Sequence, residues 1–208
     1  MLTWIRNILH SAAGADDWQR LWDARVAALE SLLGKCDGTV YHATPPLHLE
    51  GYADVLRFRN FVSGVTYVTC DLIGNPRHVP NDRGSYELMM CTRAENNWAP
   101  AVLSRLAKYT RDAAIHVGDT MHLVHAVPRH STVAALLFAR PPVPEPQFEV
   151  LGKPASLVLC VGITGAEFAM CKSHDSKAVL KQLQERGVFP YTDLRRDSVC
   201  ARAEDPSK

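Results

Sequence analysis

The chain has 208 residues, the length of one large domain or two small ones at roughly 100–200 residues each. Hydrophobic residues make up 47% and charged residues 22%, enough apolar surface to offset the entropy of ordering the bulk of the chain, so disorder is excluded. With 23 basic and 22 acidic residues the net charge is +1, which supplies no global attraction to nucleic acid or anionic lipid. No run approaches the ~20 apolar residues of a membrane span, and Arg6 interrupts the only apolar stretch near the start, which spoils it as a secretory segment. A cytoplasmic chain is expected. Its six cysteines, Cys36, Cys70, Cys91, Cys160, Cys171 and Cys200, form no C-x-x-C pair, and Cys70, Cys91 and Cys160 lie inside apolar strand-like runs, so free thiols are expected.

Leu2, Ile5 and Leu9 suggest a short helical piece ahead of a longer helix from Asp16 to Leu33. That helix carries Trp18, Leu21, Trp22, Val26, Leu29, Leu32 and Leu33 at spacings of three and four, with Gly34 as its stop. Asp16 and Asp17 suit its positive N-terminal end. The period then changes to two. Leu56 and Phe58 alternate with Arg57 and Arg59, the mark of a strand with one wet face, and Ser63-Gly64 turns it into a second strand over 65–73.

From Gly74 to Gly84 no period is present, which reads as a long loop. A strand follows over 86–92, apolar on both sides at Leu88-Met89-Met90-Cys91 and so placed centrally. Asn97 is the expected N-cap of a helix with Pro100 in its first turn and a stripe of Val102, Leu103, Leu106 and Tyr109. Strands are expected over 120–127 and 133–139, then a polyproline-like connector over 140–146. A buried strand over 156–163 runs into the capping box Thr164-x-x-Glu167, and a last helix starts at Ser176 and stops before Gly187. The expected fold class is α+β: a mixed, mainly antiparallel sheet flanked by helices in a single domain.

The phosphate-loop, dinucleotide-turn, nucleophile-elbow and zinc-helix motifs are absent. His116, His122, His125 and His130 invite a metal reading, but residues three apart in a strand point to opposite faces, so solvated strand-end histidines are preferred and no metal or other cofactor is expected. Cys171 to Ser176 holds triad residue types, yet sequence neighbours diverge in space, and a helix junction is the simpler reading. Arg77, His78 and Arg83 on the long loop could clamp an anion or merely keep the loop soluble. Core packing is expected for most of Trp4, Trp18, Trp22 and Trp98.

Val65-Thr66-Tyr67-Val68-Thr69-Cys70-Asp71-Leu72, then Tyr86-Glu87-Leu88-Met89-Met90-Cys91-Thr92-Arg93, then Trp98-Ala99-Pro100 with Leu103-Ser104-Arg105-Leu106-Ala107-Lys108-Tyr109, resembles the Suppressor of fused family in order and spacing. Gly118-Asp119-Thr120, the strand 157–163 leading into Thr164-x-x-Glu167, and Asp193-Leu194-Arg195-Arg196-Asp197-Ser198 extend the likeness over about residues 40–200. The resemblance implies an α+β domain at 40–200; the helical spacing ahead of it gives a helical segment at 1–39 packed on that domain, and the polar composition after Cys200 a frayed tail at 201–208. The resemblance also implies a module that binds another protein rather than a catalyst. The animal member clamps an extended peptide of a transcription factor between two domains, and this chain has length only for the first. Stand-alone bacterial domains of this look are commonly assigned as immunity proteins that neutralise a toxin by stoichiometric binding, with no nucleic-acid or membrane partner. Arg77, His78 and Arg83 are the candidate partner contacts. The alternatives are an enzyme with a site around the His116–His130 region and the Gly74–Gly84 loop, or a non-catalytic subunit of an assembly.

Overall fold

The computed structural model describes residues 2–43, 51–124, 126–143, 147–173 and 176–200, with side chains in the first helix from residue 16 onward. In chain order the elements are α1 (Leu2–Leu33), β1 (Cys36–Tyr41), β2 (Val55–Phe58), β3 (Val65–Thr69), β4 (Ser85–Thr92), α2 (Trp98–Tyr109), β5 (Thr120–His122), β6 (Val133–Ala139), β7 (Gln147–Val150), β8 (Lys153–Thr164), α3 (Gly165–Ser173) and α4 (Ser176–Glu185). The eight strands form one sheet in the order β1-β2-β3-β4-β8-β6-β5, with β7 paired to the start of β8. Every pairing is antiparallel except β4 with β8. The mixed α+β class expected from the patterning is what forms.

Alternation along the central strands sorts side chains to two helix layers. Tyr86, Leu88 and Met90 of β4 join Val102, Leu103 and Leu106 of α2 on one face. Met89 and Cys91 join Leu29 and Leu33 of α1 and Val179 and Leu183 of α4 on the other. β8 reaches both neighbours because it is 12 residues long: its first half pairs with β7 and its second half with β6 along the same edge. Among the described residues no helix is long and apolar enough to cross a membrane.

Several local expectations need correcting. α1 is one unbroken helix, so Asp16 and Asp17 sit mid-helix and exposed, far from the N-terminal dipole they were expected to complement. Gly34 does end it, at φ +83°. β1 runs across the expected 39/40 boundary. Asn97 makes no side-chain cap; Asn96 does, its Oδ1 accepting from Ala99 N–H at 2.9 Å. Tyr109 leaves the α2 stripe and is 44% exposed. Strand β5 is shorter than the expected 120–127, and β7 was not foreseen. β7 closes on β8 through Leu151-Gly152, both at positive φ (50° and 73°), the geometry a two-residue hairpin needs. Pro144 to Pro146, the end of the expected connector, lies outside the described residues, as does the tail from 201. Trp18 is 48% exposed and stacks on Trp22 with ring centroids 5.5 Å apart.

The capping box does form: Thr164 N–H donates to Glu167 Oε2 at 2.8 Å, and Glu167 N–H to Thr164 Oγ1 at 3.4 Å. The same carboxylate takes a bidentate pair from Arg196, 2.6 Å on each oxygen, and accepts Val199 N–H at 2.8 Å. Glu167 is fully buried, and this pairing fastens the last described segment to the sheet. Ahead of it, Thr192 N–H donates to Cys91 O while Thr192 Oγ1 accepts from Gly162 N–H, so the 191–192 stretch bridges β4 and β8 where those strands diverge.

Candidate functional site

The Gly74–Gly84 loop is not a free excursion. Asn75 Oδ1 accepts from Arg77 N–H, Val79 N–H donates to Thr110 O, Asn81 and Gly84 form an isolated bridge, and Asn81 Nδ2 donates to Ile115 O. These bonds press the loop onto the end of α2. His78 consequently points inward: it is 7% exposed, lies 4.4 Å from the Tyr86 ring centroid, and shares a hydrogen bond with Thr110 Oγ1 at 3.0 Å. Burial pushes its imidazole down to about 4, so it is a neutral packing residue rather than a surface contact. That corrects the expectation for His78. Arg77 is exposed, and Arg83 is half-buried.

Arg83 lines a cleft of about 600 Å³ together with Asp82, His116, Val117, Arg140, Pro141, Pro142, Lys177, Leu180, Gln184 and Phe189. The loop and the first histidine of the 116–130 region therefore meet: His116 Nδ1 is 3.3 Å from Asp82 Oδ1. Arg77 stays outside this cleft. His122 instead stacks on Phe168, centroids 5.4 Å apart, and His130 is exposed at φ +71°. His125 lies outside the described residues, as do His174 and Asp175. Among the described residues no three His, Cys, Asp or Glu side chains gather as metal ligands. Ser173 Oγ donates back to Ala169 O at the end of α3, the behaviour of a helix terminus. No spacing rule joins positions 83, 140 and 177, so the sequence offered no sign that Arg140 and Lys177 would share a wall with Arg83.

Three strands have one unpaired side: β7, which pairs only with the start of β8, and the two strands at the ends of the sheet order, β1 and β5. β1 is irregular between Cys36 and Val40, and its Asp37 pairs with Arg57 and Arg59, which also reach Glu95. Bulged and charged, it is guarded against further pairing. β5 is different. Phe138 N–H donates to Asp119 O and Leu123 N–H to Ala134 O, so by antiparallel alternation the backbone groups of Thr120 and His122 face the open side. Beside it runs a largely apolar groove lined by Val102, Leu106, Tyr109, Met121, Leu123 and Val124, the last 61% exposed.

A family model, Suppressor of fused protein (SUFU), matches residues 51–197. The chain belongs to the Suppressor of fused family. Among solved structures, this SUFU chain is similar to a SUFU homolog of Neisseria gonorrhoeae FA 1090, at TM-score 0.65 and 17% identity over 87% of this chain and 97% of that one. It is similar to the same degree, TM-score 0.65 and 16% identity, to a chain of the Sufu–Fu complex, over 87% and 91% of the two chains. Drosophila Suppressor of Fused matches at TM-score 0.52 and 16% identity; 77% of this chain covers 42% of that one. A search of curated proteins finds no matching sequence.

Proposed function

We propose that this SUFU domain is a non-catalytic binding module that takes an extended segment of one partner protein along the open side of β5. The observation that carries the reading is the coincidence of unpaired strand backbone at Thr120 and His122 with the apolar groove under Tyr109 and Val124. Backbone bonds would give affinity, and the groove would select alternate side chains. That a chain of similar fold was solved in the Sufu–Fu complex supports it. The partner in our reading is a cognate toxin, in keeping with an immunity role in the bacterial cytoplasm, with Arg77 and Arg83 facing an acidic stretch of it.

A catalytic reading has one observation in its favour, the His116–Asp82 pair in a cleft. No serine, threonine or cysteine is among the described lining residues, so no side-chain hydroxyl or thiol stands beside the pair as a nucleophile. Binding is the better account.

The test is capture of the partner from the native host, followed by titration. Saturation near one to one is expected, with protection requiring equimolar protein. His122→Pro removes one outward N–H, a change an edge strand tolerates, and also the ring stacked on Phe168, so it is compared with His122→Ala: it should bind at least tenfold more weakly than that control at similar thermal stability. Protection at far below equimolar amounts would return the weight to catalysis; binding indifferent to His122→Pro would remove β5 from it.

A further inference from the structure

The cleft at Arg83 has a chemical character that strand pairing alone does not need. Three permanent cations, Arg83, Arg140 and Lys177, face it against one carboxylate, Asp82, and Asp82 is already engaged by His116. Neither guanidinium makes a side-chain hydrogen bond or ion pair among the described residues. Unpaired guanidinium groups at the mouth of a concave site are forks suited to carboxylates, which they hold bidentately. Between the cations the wall is apolar, with Val117, Pro141, Pro142, Leu180 and Phe189. A ligand that fits both has negative groups flanking a bulky apolar one.

Position decides the kind of ligand. Thr120 of β5 pairs with Leu137, so the start of β5 lies beside the end of β6, and Arg140 follows β6 directly. His116 and Val117 precede β5 by only a few residues. The cleft thus begins at the end of the open strand where β5 starts. We infer that the cleft is the second half of the partner site: it receives an acidic stretch, carrying one large apolar side chain, of the same polypeptide segment that pairs with β5. This rests on the binding reading above, and its strength falls with salt because the cations are at or near the surface.

The probe is a random linear peptide library displayed against the whole 208-residue chain. Enriched peptides are expected to place two or more Asp or Glu residues around a Phe, Leu, Ile or Trp. Chosen peptides should lose at least tenfold in affinity against R83A/R140A, and several-fold between 50 and 300 mM salt, with the melting temperature of the variant unchanged. Peptides that depend on His122 but ignore R83A/R140A would overturn the cleft and leave the strand-pairing reading standing. Neutral enriched peptides would overturn it likewise. A library without binders would overturn both for linear segments, and ATP binding lost in R83A/R140A without any peptide selection would make the cleft a small-molecule site instead.

Discussion

Glu87 and His78 are two buried titratable groups whose environments push in opposite senses on stability. Glu87 is fully buried on β4, where Leu72 N–H, Ile73 N–H and Thr69 Oγ1 donate to it, and desolvation pushes its carboxyl up to about 7 in spite of Arg25 nearby. Arg25 in turn donates to Ile73 O and Cys70 O and lies 3.6 Å from Asp71. The folded chain therefore holds a proton on Glu87 between pH 4.5 and 7 that the unfolded chain releases, and stability through this group falls as pH rises across that window. His78 does the reverse. Its folded value of about 4 lies below the ordinary 6.5, so the unfolded chain binds a proton the folded one refuses, and stability is lost as pH falls across that window. Each contribution integrates to about 3 kcal/mol at most. Urea melts from pH 4.5 to 6.5 should show a nearly level wild type. Glu87→Gln should make stability rise with pH, and His78→Phe should make it fall. If neither variant acquires a slope, the two groups are not opposed in this way.

At the scale of elements, capping separates neighbours that the sequence leaves equivalent. Asn96 and Asn97 both precede α2, and either amide suits an N-cap. Asn97 has αR dihedrals, φ −90° and ψ −8°, which take its side chain out of the capping position; Asn96 bonds Ala99 N–H in its place. Asn96→Ala should cost about 1 kcal/mol and Asn97→Ala close to none, read from denaturant midpoints. Equal costs would refute the assignment. The Thr164–Glu167 box shows the same limit. Its local half was legible as S/T-x-x-E, but the partner that occupies both carboxylate oxygens, Arg196, stands 29 residues away.

Across the whole molecule, the sheet divides two cores, and its thiols report on both. Cys70 and Cys91 face the α1 and α4 side, and Cys160 faces α2. All three are fully buried, and burial pushes their thiols up, Cys91 to about 12. Cys36, Cys171 and Cys200 are only half-buried, and none of the six is in a disulfide. Thiol labelling of the native protein without reductant should reach at most three groups quickly, and all six after denaturation, since the other three need cooperative opening. Fast labelling of Cys70 or Cys160 would contradict the three-layer core.

Alternation determined the strand at 55–58, spacings of three and four the amphipathic part of α1, and a continuous apolar run the strand over 86–92 and its central place. A half-buried element takes the period of its backbone from the core it faces, and a strand covered on both faces loses the period but keeps the apolar run. The order of motifs also sufficed for the resemblance to the Suppressor of fused family. What periodicity could not reach was anything made by residues meeting from distant segments. His78 sits in a loop of polar composition, and only the Tyr86 ring and Thr110 against it turn it inward. Arg83 just ahead of β4, Arg140 just after β6 and Lys177 near the start of α4 share a cleft although β8 separates β4 from β6 in the sheet. The open strand was likewise undecided until the sheet order set β1 and β5 at its two ends and the ion pairs around Asp37 closed one of them. Binding surfaces are made by packing between elements, and packing carries no period.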